Sequence, residues 1–222
     1  MSIKRRQFLT GAAGAVAAAS TVFSPMTIAR NKKYRLGMVT SWPSSIDTLF
    51  GTAEYIGRAI EYATDGDVEV EVFAAGEQVG GLEVYDSVSS GAFAMGHTAS
   101  YYYIGQDPTH AFFTSMPFGL TGQQQNAWIE EGGGGDLWNE LNARSNMVAF
   151  LAGNTGGQTG GWFNKEINSP DDLKGLKMRF PGVGGQVMAR AGVNIQNLPG
   201  GQVYFALERG VIDAADWVSP YD

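Results

Sequence analysis

The sequence predicts an α/β protein with largely parallel sheets. Three observations carry that expectation. Strand-like apolar runs alternate with helix-like amphipathic runs from Tyr34 to Val218. Glycine is abundant, 31 of 222 residues, about twice its usual ~7% share, which favours many tight turns over long helices. Apolar residues make up 44% of the chain, enough to bury a sizeable core in one or two domains.

Tyr34 to Thr40 alternates apolar and polar residues and reads as a first strand. Leu49, Ala53, Ile56, Ile60 and Ala63 recur at helical spacing over 47–64, and Asp65-Gly66-Asp67 then makes a turn. Val68 to Phe73 alternates cleanly as a second strand. Glu83 to Ser90 reads as a short helix and Ala94 to His97 as a buried third strand. Two helices are expected over Gln123–Glu131 and Asp136–Ala143, separated by four glycines, 132–135. Met147 to Ala152 and Gly161 to Asn164 read as strands. Ser169-Pro170 begins a helix, serine at the cap and proline at the first position. Lys177 to Phe180 is expected as a strand, Gly185 to Ala191 as a helix, Asn194 to Leu198 as a strand, Gln202 to Arg209 as a helix and Ala214 to Val218 as a final strand.

The segment before these elements has another character. Lys4 to Leu9 is basic, Gly11 to Val22 is an Ala/Gly-rich apolar run, and Thr27-Ile28-Ala29 suits signal peptidase. The Arg5-Arg6-x-Phe8-Leu9 spacing resembles a twin-arginine export signal, so residues 1–29 are read as a signal peptide. The apolar run is too short and too weakly apolar to span a bilayer as an anchor. The 222 residues carry a net charge of −7. Removing Lys4, Arg5 and Arg6 leaves 12 basic residues against 22 acidic ones, a net −10. That balance argues against nucleic acid and anionic membranes as partners, but not against a small anion held by one buried arginine. Cysteine is absent, which excludes a disulfide framework, a thiolate metal site and a cysteine nucleophile.

Arg179 closes the Lys177–Phe180 strand beside a Pro-Gly turn, and its guanidinium offers a rigid donor fork that fits a carboxylate. The same spacing also fits an edge-strand surface arginine or a structural ion pair. Gln158 lies among glycines that let a backbone approach a ligand, and its amide offers oxygen to a hard cation; a plain turn residue is the alternative. Asp216 and Trp217 sit where a strand ends, the edge that faces the ligand crevice in open α/β sheets. A capping aspartate beside a core tryptophan is the competing reading. Tyr101-Tyr102-Tyr103 cannot all face one core, so at least one is exposed or lines a pocket. Gly182-Val183-Gly184-Gly185 lacks both the full dinucleotide fingerprint and the Walker lysine, which excludes nucleotide binding. His97 and His110 have no zinc-ligand spacing, and no serine sits in a nucleophile elbow.

Longer stretches point to a family. They include Phe73-Ala74-Ala75-Gly76-Glu77, Met95-Gly96-His97, Ser100-Tyr101-Tyr102, Pro117-Phe118-Gly119-Leu120, Gly160-Gly161-Trp162-Phe163, Leu173 to Arg179 and Gly210-Val211-Ile212-Asp213-Ala214. Through them the chain resembles the solute-binding subunit of TRAP (tripartite ATP-independent periplasmic) transporters, in the branch that binds 2-oxo acids such as pyruvate. The resemblance implies a periplasmic, two-lobed α/β receptor, not an enzyme, that closes on its ligand and serves membrane permease subunits. The change in the chain near Ala143–Met147 is the candidate lobe boundary, with lobe I over 30–145 and a partial lobe II over 146–222. The resemblance matches Arg179 to the carboxylate partner and implies a sodium or calcium ion held by Gln158, Asp216 and Trp217, with no organic cofactor. Tyr101, Tyr102 and Trp42 would line the pocket. The branch usually carries glutamate where this chain has Asp216, one methylene shorter, and glutamate where it has Gln202. Family members also continue well beyond Asp222, so the chain reads as truncated. Two rivals remain: a twin-arginine-exported cofactor enzyme, and a fragment that binds nothing.

Overall fold

The computed structural model describes residues 33–219; the segment read as a signal peptide lies outside them. Those residues form one compact unit that carries two sheets. The α/β expectation holds.

The first sheet has the order β2-β1-β3, all parallel, with β1 over Tyr34–Thr40, β2 over Val68–Phe73 and β3 over Met95–His97. Parallel neighbours need a crossover. The first crossover contains helix α1 (Asp47–Ala63), packed on β2, and the second contains α2 (Val84–Ser89), packed on β3. Gly96 makes the second packing possible, because a Cβ there would stand 2.7 Å from a methyl of Val84. The register sets Thr40 opposite His97, which fixes the chain's exit towards Trp42.

A short 3₁₀ helix, Ser100–Tyr103, follows β3, and a second covers Pro108–Phe113. Helices α3 (Gly122–Glu131) and α4 (Gly134–Ala143) then close an aromatic cluster, in which Phe113 stacks on Trp128 at 5.8 Å and on Trp138 at 5.6 Å. Thr121 and Gln124 form a reciprocal capping box at the start of α3. The glycine run is shorter than expected as a linker, since α4 starts at Gly134, tucked beneath the Trp128 ring where a side chain would collide.

The second sheet has the order β4-β7-β5-β6: Trp162–Phe163, Ala214–Ala215, Lys177–Arg179 and Asn194–Gln196. Only β4 runs antiparallel to its neighbour. Both faces of this sheet are covered. Met178 and Ala214 join Leu176 and Val193 in one cluster, and Ala215 joins Val203, Ala206 and Ile212 in another. Helix α5 (Gly182–Arg190) packs against β6, and α6 (Gly200–Glu208) against β7. The Ser169-Pro170 start forms a 3₁₀ turn, Pro170–Leu173. Its cap is the Asp172 carboxylate, which accepts from the Ser169 N–H at 2.8 Å.

Three sequence expectations need correction. Met147–Ala152 forms no strand. Its exposure alternates as a strand's would, yet its backbone finds a side-chain partner, Ala149 N–H donating to Asn139 Oδ1 at 2.7 Å. Helix α5 begins three residues before the expected Gly185, directly after Pro181, because Gly182 accepts a φ of 73°. The strands expected to reach Leu198 and Val218 end at Gln196 and Ala215. Past those ends Leu198 and Asp216 turn their carbonyls to the Arg179 side chain, while the Asp216 N–H still donates to the Arg179 carbonyl at 2.8 Å.

Candidate functional site

β5 lies between β7 and β6 in the second sheet, and Arg179 is its last residue. The residue is only 2% exposed. Three neutral oxygens hold it: Nε donates to the Leu198 carbonyl, Nη1 to the Asp216 carbonyl and Nη2 to the Tyr102 hydroxyl, each at 3.1 Å. The Trp217 ring lies under the guanidinium, 5.5 Å from its carbon. A guanidinium has five N–H groups. Two of them, one on each terminal nitrogen, have no acceptor among the described residues. A guanidinium with a donor left on each terminal nitrogen can offer both to one carboxylate.

Asp216 is 4% exposed, and its carboxylate stands 3.9 Å from Arg179 Nη1, too far for a hydrogen bond. Burial pushes its pKa up to about 6, and the arginine only partly opposes this. The site therefore pairs a fully fixed cation with an anion that the protein stabilises poorly.

The first sheet contributes the opposite wall. Tyr102, in the 3₁₀ helix after β3, carries the hydroxyl that meets Arg179 and lies 6.2 Å from the Trp42 ring, centroid to centroid. Tyr101 meets Tyr102 edge to face at 4.8 Å. Burial, reinforced by Tyr102, holds the Tyr101 hydroxyl well above the usual phenol range, so it stays a proton donor. Tyr103 turns away from the site into the core. Thr114 Oγ1 accepts from the Tyr101 N–H at 3.1 Å and His110 Nδ1 bonds Ser100 Oγ at 2.9 Å, fixing the start of this helix.

Arg179, Asp216, Trp217, Tyr102, Tyr101 and Trp42 thus form one cluster at the facing ends of the two sheets. Gln158 stands differently: it is exposed. Its loop is tied to the chain leaving β7 by Ser219 Oγ, which donates to the Gly157 carbonyl at 2.9 Å. Gln202 lines a surface groove with Phe205 and Arg209 and makes no hydrogen bond to Arg179. Sequence reasoning missed the two carbonyls on Arg179. The Pro199 that follows Leu198, breaking the strand, is the one signal that pointed to the first. Among the described residues no cluster of three or more His, Asp or Glu could hold a metal, and no helix is long and apolar enough to cross a membrane.

Residues 38–222 match the family described as bacterial extracellular solute-binding protein, family 7. A monocarboxylate 2-oxoacid-binding periplasmic protein of Nostoc sp. is 51% identical over 99% of this chain and 62% of its own length. A TRAP transporter solute-binding protein of Bordetella bronchiseptica, solved with calcium and picolinate bound, is 44% identical with a TM-score of 0.83 over 86% of this chain and 57% of that one. One from Pseudoalteromonas atlantica, solved with sodium and pyruvate bound, is 41% identical with a TM-score of 0.82 over 85% and 57%. The chain thus spans roughly three fifths of the length of these relatives. The exported cofactor enzyme loses support as a rival, since the family that matches is described as a solute-binding protein. This chain belongs to bacterial extracellular solute-binding protein family 7.

Proposed function

We propose that this chain is the receptor portion of a TRAP transporter, which captures a small 2-oxo carboxylate together with a sodium or calcium ion and delivers it to membrane permease subunits. The carrying observation is the Arg179 guanidinium, buried, held by three neutral oxygens and left with one further N–H on each terminal nitrogen. It would take the ligand carboxylate, with Tyr101, Tyr102, Trp42 and Trp217 forming the walls.

Charge balance supports the cation. Arg179 and Asp216 cancel, so an anionic ligand entering this enclosed site leaves one uncompensated negative charge. An oxygen-rich donor set of Asp216 carboxylate, Gln158 amide and Trp217 carbonyl suits a hard cation such as sodium or calcium. The raised pKa of Asp216 fits the same picture, because a cation beside it would stabilise the ionised form that burial disfavours. Both relatives solved with a ligand also hold one of these ions. Residues 30–145 and 146–222 act as two lobes whose closure ligand binding favours. Residues 1–29 direct export by the twin-arginine route.

Titration calorimetry with pyruvate in the presence of calcium tests this reading. Arg179→Ala is expected to weaken binding about 30-fold or more, because it strips the partner from a desolvated carboxylate. Parent-like affinity in that variant would overturn the assignment.

A further inference from the structure

We propose that His97, at the end of β3, is a positioning residue for the ligand site: it aims the Trp42 indole, and through it the Tyr102 hydroxyl to which Arg179 donates. The proposal rests on the arginine-centred reading of the site and adds a residue that touches no ligand.

The geometry runs in one unbroken line. Trp42 Nε1 donates to His97 Nδ1 at 2.7 Å, the two rings meeting edge to face at 73° with centroids 6.0 Å apart. An indole N–H only donates, so His97 Nδ1 must accept and the imidazole is neutral with its proton on Nε2. The backbone of Ala152 partners the histidine in turn, which makes the ring a bridge between Trp42 and the strand-like segment that leads to Gln158. Burial pushes the His97 pKa down and supports the neutral form.

On its other side the Trp42 ring faces Tyr102, and Tyr102 Oη accepts from Arg179 Nη2 at 3.1 Å. The Trp42 backbone is already fixed, with its carbonyl accepting from Ala75 N–H at 2.8 Å and from Thr40 Oγ1 at 3.1 Å. The indole orientation is the remaining freedom, and His97 supplies its one polar tie. His97 is itself rigid, because its carbonyl accepts from Ser41 N–H at 3.0 Å and its residue pairs with Thr40 across the ladder.

Three variants separate the two bonds of the ring. His97→Asn keeps an acceptor at the position of Nδ1, His97→Gln keeps a donor at the reach of Nε2, and His97→Phe keeps neither. The first readout needs no ligand: the Trp42 indole N–H and the Arg179 Nη–H signals in nitrogen–proton NMR spectra at low temperature, assigned with Trp42→Phe and Arg179→Lys. Both signals are expected to stay near the parent's in His97→Asn and to shift and exchange faster in His97→Gln and His97→Phe. The second readout is pyruvate affinity with calcium, expected to fall about tenfold in the Gln and Phe variants and to be largely rescued by Asn. Parent-like Arg179 signals in folded His97→Phe would overturn the proposal, as would equal loss of both signals in all three variants. A parent that binds no pyruvate would sink the transport reading instead, and the NMR arm would still decide the role of His97.

Discussion

Arg179 is held by groups that carry no charge, and the Asp216 carboxylate lies beyond hydrogen-bond reach. That arrangement keeps the guanidinium's charge available to a ligand while fixing its position, which a short ion pair with Asp216 would not do. Asp216 bears the cost. Its pKa of about 6 lies above the ~3.9 of an unfolded aspartate. Between those values the folded protein binds a proton that the unfolded chain does not, so this group makes stability fall as pH rises from about 4 to 6. The penalty, fully developed above pH 6, is on the order of 3 kcal/mol. In chelator, Asp216→Asn should therefore melt above the parent at pH 7.5, with the advantage shrinking towards pH 4. Melting curves of the two proteins across that range check it, and a difference independent of pH would contradict the buried, poorly stabilised carboxylate. Arg179, Asp216 and the tyrosines were legible in the sequence, because side-chain type and strand-end position suffice to nominate them. The carbonyls of Leu198 and Asp216 were not, since a hydrophobic pattern reports which face a side chain takes and not where a backbone oxygen turns.

Elements meet at the site through glycines. The turns after β5 and β6, Pro181-Gly182 and Pro199-Gly200-Gly201, lead into α5 and α6, and their glycines approach Tyr101, Ile46 and Pro43. A Cβ at Gly182 would stand 3.3 Å from Tyr101 Cβ, one at Gly200 3.7 Å from Ile46 Cδ1, and one at Gly201 3.1 Å from Pro43 Cγ. Gly201 has no positive φ, so alanine there adds bulk at the seam without backbone strain. Gly201→Ala is expected to fold normally and to bind pyruvate several-fold more weakly, on the order of 1 kcal/mol, because the methyl wedges the closed arrangement. Gly105→Ala, with nothing within 4 Å, is the control. Calorimetry on both decides it, and unchanged affinity in Gly201→Ala would contradict a closure that needs this contact. The helices and long strands of the first sheet were readable because period and length agree there. The false strand at Met147–Ala152 shows the limit: alternation records two faces, whereas a strand also needs a partner ladder.

Across the described residues, a parallel sheet and a mixed sheet, antiparallel only at β4, present strand ends to one another. That places a cation from the second sheet against the Tyr102 hydroxyl, carried by the 3₁₀ helix that follows the first sheet. The α/β class followed from the alternation of elements, whereas the meeting of the two sheets depended on contacts between residues such as Tyr102 and Arg179, 77 positions apart, which no local pattern encodes. A ligand that binds only the folded state raises its melting temperature by mass action. The protein should be melted with pyruvate, with longer 2-oxo acids and with lactate, each in chelator, in sodium and in calcium. A cooperative transition that a 2-oxo acid raises only when the cation is present is the expected result. A cooperative transition that none of these acids moves with either cation would contradict the capture of a 2-oxo acid by Arg179.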